Sequence, residues 1–284
     1  MRLASFRHRE RAGFGAVEDG HVIDLSALFP GSILRGLLSD PDQLLAAKAR
    51  GERVPLDEIE WLPPIVDPGR IFCVGRNFKR AMESLGLERP AFPILFTRFA
   101  SSQVGHEQAI VRPTVSSQFD YEGELCVVVG QAGRHISEAA ALDHVAGYTC
   151  YNDGSVRDYQ RHTSQDTPGK NFWRSGAVGP WIVTKDEIPD PSQLSLTTTL
   201  NGETVQADDL DDLLFTVPHV LAYLSRIAPL EPGDLIALGT PLGSAINRTP
   251  QRWLQAGDEV SVTIDRIGTL TNRVVDEADL TPNG

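Results

Sequence analysis

Apolar and polar residues alternate over short stretches of this chain far more often than they recur at helical spacing. Between Leu3 and Leu25, strand-like pieces are set apart by Gly13, Gly15 and the turn pair Asp19-Gly20, a pattern that predicts a small antiparallel sheet. Ile33 to Ala49 carries apolar residues at helical spacing, interrupted by Asp40-Pro41. The acidic, proline-bearing stretch from Pro55 to Pro68 reads as a linker, and Arg70 to Gly75 beyond it reads as a buried strand. From there the pattern is mostly β. Asn201-Gly202, between Leu196-Leu200 and Thr204-Gln206, is a two-residue hairpin signal, and Gly257 to Val274 reads as a second hairpin turning near Ile267-Gly268. Two helices stand out: a short one over Glu138 to Leu142 capped by Ser137, and Thr216 to Ile227 with Val217, Val220, Leu221, Leu224 and Ile227 on one face.

Strands and helices do not alternate regularly, which excludes a doubly wound nucleotide-binding fold. There is no G-x-G-x-x-G, phosphate-binding loop, G-x-S-x-G or H-E-x-x-H, so dinucleotide, ATP, serine-hydrolase and zinc-protease chemistry lack their motifs. The expected fold class is mixed α/β and predominantly β, with a small N-terminal α+β domain and linker over residues 1–66 and a catalytic domain over 67–284.

The formal net charge of -12 argues against nucleic-acid or anionic-membrane partners. No apolar run suits a signal peptide or membrane span, and the three cysteines, Cys73, Cys126 and Cys150, lie in apolar strand-like segments. A cytoplasmic protein with reduced core cysteines is the expectation.

The chemistry concentrates in Asp120-Tyr121-Glu122-Gly123-Glu124, which runs straight into the apolar segment Leu125 to Val129. Residues two apart on a strand share a face, so Glu122 and Glu124 lie side by side, either as a solvated acidic strand end or around a hard cation. Asp153, at the end of the apolar segment Gly147 to Asn152, is a candidate third carboxylate, with Arg157 and Gln160 close behind it. Lys170 lies in the turn Thr167 to Phe172, where a lone lysine is ordinarily exposed, and Gly239-Thr240-Pro241 closes a later strand.

In their order and spacing these pieces resemble the fumarylacetoacetate hydrolase family. The likeness runs from about Ile71 to Val275 and includes Cys73 to Phe78, Asp120 to Leu125, Gly147-Tyr148 through Asp158, Gly169-Lys170, Asn201-Gly202-Glu203, Leu230 to Asp234 and Gly239-Thr240-Pro241. The resemblance implies rolled mixed β-sheets, a homodimer, and an enzyme dependent on Mg2+ or Mn2+ acting on a small anionic 2-oxo or 1,3-diketo acid. It implies Glu122, Glu124 and Asp153 as metal ligands and Lys170, Arg157 and Gln160 as catalytic groups near the developing oxyanion. Thr240 lies in the turn expected to receive the substrate carboxylate, with Gly239, Arg76 and Lys79 as further substrate contacts. For Arg157 an ion pair with Asp158 or Asp153 is the alternative.

One feature departs from the family. Relatives that hydrolyse carbon-carbon bonds commonly carry a water-activating histidine and, three residues on, a glutamate; the matching positions here are Ala81 and Ser84. Glu83 is one residue out of register, about 100° around a helix. Lys79 and Arg80 are lid residues suited to binding an acidic substrate, and His106 and His162 are the histidines considered as replacements.

The first expectation is therefore carbon-carbon cleavage through a chelated enolate, by decarboxylation or by hydrolysis with a replacement base, in the catabolism of small organic or aromatic-derived acids. An isomerase, tautomerase or hydratase on the same scaffold is the alternative, and a non-catalytic metal- or ligand-binding paralogue a further one.

Overall fold

A computed structural model describes residues 1–280. Its architecture is mixed and predominantly β, as expected. A twelve-stranded sheet has the central order Gly176–Thr184, Val145–Asn152, Gly123–Val129, Leu235–Ala237, Ile71–Gly75, Ile94–Arg98. A second sheet of five strands, Glu203–Asp209, Ser195–Leu200, Glu259–Ile264, Gly268–Asp276 and Ile110–Arg112, shares its core with the first. All seven residues of Gly123–Val129 are buried, which explains a continuous apolar run in place of alternation. Gly123 is required where the sheets meet, because a Cβ there would lie 2.1 Å from Thr198 Oγ1.

The N-terminal strands Arg2–His8, Arg11–Glu18 and His21–Asp24 are antiparallel as predicted. They do not form a sheet of their own: Arg2 and Leu3 pair with Val183 and Ile182, so they extend the large sheet. The segment expected to be a linker is also packed, with Glu60–Trp61 pairing to Arg2–His8 and both Trp61 and Ile65 buried.

Asp40-Pro41 divides the predicted helix by starting a new one. Asp40 caps Pro41–Lys48 by accepting from Gln43 N at 3.3 Å, and proline at the first position needs no N–H partner. Asn201 and Gly202 have φ of 51° and 81°, as a type I′ hairpin requires. The hairpin of Glu259–Ile264 and Gly268–Asp276 turns where predicted.

Two local expectations are corrected. Glu138–His144 is a 3-10 helix that Ser137 does not cap through its side chain. In the helix Val217–Ile227, the last residue is 60% exposed because the chain end rolls off the core. Thr216 does cap this helix, and Val217, Val220, Leu221 and Leu224 are buried. The three cysteines are free and buried, and burial pushes the Cys73 thiol well up.

Candidate active site

Strand register assembles the carboxylates. Gly123 pairs with Asn152, so Glu122, just before one strand, and Glu124, within it, flank Asp153, just past the end of its neighbour. The loop ends are tied: Asp153 N donates to Glu122 O at 2.8 Å, and Glu122 N donates to Asn152 Oδ1 at 3.0 Å. One carboxylate oxygen from each of Glu122, Glu124 and Asp153 lies within 4.8 Å of the others, and all three residues are buried.

Lys170 is buried too, contrary to the ordinary expectation for a turn lysine. Its Nζ donates to Asp153 Oδ2 at 2.6 Å and to Glu122 Oε2, and lies 4.9 Å from the centroid of the Phe96 ring. Arg157 pairs with neither Asp158 nor Asp153. Its Nε donates to Asp120 Oδ2 at 2.8 Å, Nη2 to Glu122 Oε1 at 2.6 Å and Nη1 to Gln160 Oε1 at 2.9 Å. Asp120 also accepts from Ala245 N at 2.7 Å and Ile246 N at 3.1 Å, joining the cavity wall to the charged cluster. Behind Asp153 stands Arg98, whose Nη1 donates to Asp153 Oδ1 at 2.6 Å.

Burial opposes ionisation of Glu122, but Arg157 and Lys170 outweigh it and hold the carboxyl down at about 2. Glu124 goes the other way. Burial, followed by the charges of Asp153 and Glu122, raises it well above the carboxylate range. Its Oε2 accepts only from Gly239 N, at 2.8 Å, and no cation touches it among the described residues. With every carboxylate ionised, the buried Asp120, Glu122, Glu124 and Asp153 facing Arg98, Arg157 and Lys170 would leave one negative charge in excess, which Glu124 sheds by holding its proton. A divalent ion fits this donor set: the oxygens are hard, they converge, and +2 converts the excess into one positive charge that suits an anionic ligand.

The cluster forms the floor of a cavity of about 620 Å³. Of the expected substrate contacts, Arg76, Gly239 and Thr240 line it, as do Arg157, Gln160 and Lys170. Thr240 Oγ1 donates to Gly123 O at 2.9 Å and accepts from Gln206 Nε2 at 2.8 Å. Lys79 is not part of the lining; its Nζ donates to Asp211 O at 3.1 Å, and Arg80 beside it pairs with Asp208 and Asp212. Ala81 reaches the cavity, Ser84 is exposed, and Glu83 turns outward to Arg89, as the helical rotation requires.

Neither candidate histidine lines the cavity. His106 accepts from Thr271 N at 3.0 Å and packs edge-on to Trp61, while His162 is exposed against Tyr159. Sequence reasoning missed Arg98 and the anchoring role of Asp120. The signal that points to such partners is the surplus of acids converging on one site, since buried carboxylates call for cations.

Residues 70–275 match the family model described as fumarylacetoacetate (FAA) hydrolase, C-terminal, and residues 1–64 match an Rv2993c-like N-terminal model. The chain belongs to the fumarylacetoacetate hydrolase family. Similar members include the human mitochondrial oxaloacetate tautomerase FAHD2A, 35% identical over 97% of this chain and 92% of that protein. The fumarylacetoacetate hydrolase of psychrophilic Exiguobacterium antarcticum has a TM-score of 0.87 at 33% identity, covering 98% of this chain and 100% of that one. A maleylpyruvate hydrolase from Sphingobium sp. SYK-6, solved with manganese(II) and pyruvate, has a TM-score of 0.82 at 27% identity, covering 97% and 99%. The protein is thus an enzyme of a family that includes hydrolases and tautomerases. Among its described residues no helix is long and apolar enough to cross a membrane.

Proposed function

We propose that the protein is a divalent-metal-dependent isomerase that interconverts keto and enol forms of a small 2-oxo dicarboxylic acid. The observation that carries this reading is the composition of the cavity. Three carboxylates and Lys170 converge there, while Ala81 stands where hydrolytic relatives carry a histidine, and among the described residues no histidine lines the wall. The likeness to a tautomerase over nearly the whole chain supports it further.

Glu122, Glu124 and Asp153 would hold Mg2+ or Mn2+, which would supply Lewis-acid polarisation of the 2-oxo group. Lys170 is the candidate proton carrier, being the lysine of the cavity wall, with Nζ already oriented by Glu122 and Asp153. The bond from Arg157 Nη1 to Gln160 Oε1 holds both side chains at the wall, where they bear on the developing oxyanion. Thr240 and the Gly239 turn receive the first carboxylate. Arg76 receives the second: its guanidinium has no hydrogen-bond or ion-pair partner among the described residues, and its φ of 51° is a conformation that arginine seldom adopts. Asn77, fully buried and bonded to Phe215 and Leu238, holds that turn in place. Phe78, Met82 and Phe96 give the cavity an apolar wall.

Carbon-carbon cleavage, the first expectation from sequence, requires an activated water if it is hydrolytic, and removing a general base costs about 100- to 10,000-fold. Decarboxylation uses the same electron sink and is the competing outcome. Purified protein loaded with Mg2+ or Mn2+ is to be given oxaloacetate and an acylpyruvate in D2O, with enol absorbance and products followed together. Faster keto-enol interconversion with deuterium entering C3, lost on chelation, is expected. Release of carbon dioxide or a shortened acid would replace the reading by decarboxylase or hydrolase, and oxalate binding with no turnover would replace it by a binding protein.

A homodimeric assembly and cytoplasmic residence belong to the same reading. Exposed Phe92, Phe99 and Trp173 supply apolar surface for a second copy, and light scattering on the purified protein tests the dimer.

A further inference from the structure

Arg98 ends the strand Ile94–Arg98 with its side chain fully shielded from solvent, and it does not line the cavity. It is nevertheless bonded through all three nitrogens. Nη1 donates to Asp153 Oδ1 at 2.6 Å and to Gly154 O at 3.1 Å, Nη2 to Ser175 Oγ at 2.7 Å, and Nε to Ser102 Oγ at 3.2 Å. Ser102 is in turn fixed by donating to Phe99 O at 2.7 Å. A buried ion pair is often no more stabilising than apolar residues of the same volume, so stability does not by itself account for a guanidinium here.

The division of labour on Asp153 does. Oδ1 is occupied by Arg98, whereas Oδ2 shares the Lys170 ammonium with Glu122 on the cavity side. We propose that Arg98 is a positioning residue for the metal centre: it turns Asp153 so that a divalent ion meets Oδ2 alone, and it supplies the buried charge that lets three carboxylates converge. This rests on the metal-dependent reading of the site. With all four carboxylates ionised, loss of Arg98 would raise the excess of negative charge from one to two. A lysine would keep the charge but lose the function, because an ammonium is one point of donation and cannot span Asp153, Gly154, Ser175 and Ser102 in a single plane.

The test is Mn2+ affinity, measured by titration calorimetry on wild type, Arg98→Lys and Ser175→Ala. Groups that orient metal ligands typically contribute 10- to 100-fold in affinity, so Arg98→Lys should weaken Mn2+ binding by about that factor. Ser175→Ala removes one hydrogen bond from the guanidinium and no charge, and should weaken binding by about 2- to 10-fold. At saturating Mn2+, KM for the 2-oxo acid should not change in either variant, since Arg98 does not reach the substrate. Wild-type Mn2+ affinity in the folded variants, or a shift in KM with metal affinity intact, would overturn the proposal. Should Arg98→Lys not fold, Ser175→Ala decides alone. If wild type itself binds neither Mn2+ nor Mg2+, the metal-dependent reading fails and takes this inference with it. Wild-type binding with unaffected variants sinks only the role of Arg98.

Discussion

At the carboxylate end of the cavity the charged groups are buried and bonded to one another, whereas at the other end Arg76 is exposed and Ala81 offers only a methyl group. The first end is assembled by strand register and by Arg98, Arg157 and Lys170. The second is a turn and the short helix Lys79–Ser84, tied to the 208–212 segment through Lys79 and Arg80. Electrostatic preorganisation of the first end fits any reaction that passes through an enolate. On the proposed reading, the choice of bond would fall to the second end, where one side chain could add or remove a base away from the charged cluster.

The largest break in this comparison comes from Glu124→Gln. Divalent affinity should fall by more than about 100-fold, beyond what orienting groups contribute, and turnover should fall with it. The chelated protein should nevertheless melt at or above the wild-type temperature at neutral pH. A carboxyl whose folded pKa is raised loses stability as pH climbs from the ordinary carboxylate range through that raised value, and the amide has no such loss. Calorimetric melting in EDTA checks the stability and Mn2+ titration the affinity.

Lys170→Met separates holding the metal from moving the proton. Turnover should drop by about 100- to 10,000-fold, while Mn2+ binding is kept or strengthened, because an ammonium no longer competes for Glu122 and Asp153. Weakened metal binding in this variant would mean that Lys170 is structural.

At the other end, Arg76→Gln should raise KM for a dicarboxylic 2-oxo acid by about 10- to 100-fold, the worth of a charged hydrogen bond. A monocarboxylic 2-oxo acid should be unaffected, and equal losses on both would remove Arg76 from specificity. The smallest effect is a slope. Because the metal displaces the proton that Glu124 favours, Mn2+ affinity should rise with pH, by at most about tenfold per unit for one proton, and flatten above the raised pKa of that carboxyl. Proton release, counted in buffers of different ionisation enthalpy, provides the check. The slope should be absent in Glu124→Gln.

Much of this was legible before any coordinates. Period-two alternation marks the strands, Asn201-Gly202 marks its hairpin, and the burial of the strand beyond Glu124 is written in the unbroken apolar run Leu125 to Val129. The N-terminal strands were found as strands, but their place as an extension of the large sheet was not, because the pairing of Leu3 with Ile182 spans most of the chain.

Sequence alone placed Glu122 and Glu124 side by side where the strand Gly123–Val129 begins, and Ala81 and Ser84 at the positions where hydrolytic relatives carry a water-activating pair. The first follows from a repeat of two residues, which needs no knowledge of the rest of the chain; the second follows from the resemblance to the family, read at those two positions. Tertiary structure alone decided that Lys170 is buried, that Arg157 pairs with Asp120 and Glu122, that Lys79 turns to Asp211, and that Arg98 lies behind Asp153. A charge takes its partner from whatever the fold brings within about 3 Å. Here those partners lie as far as 132 residues away along the chain.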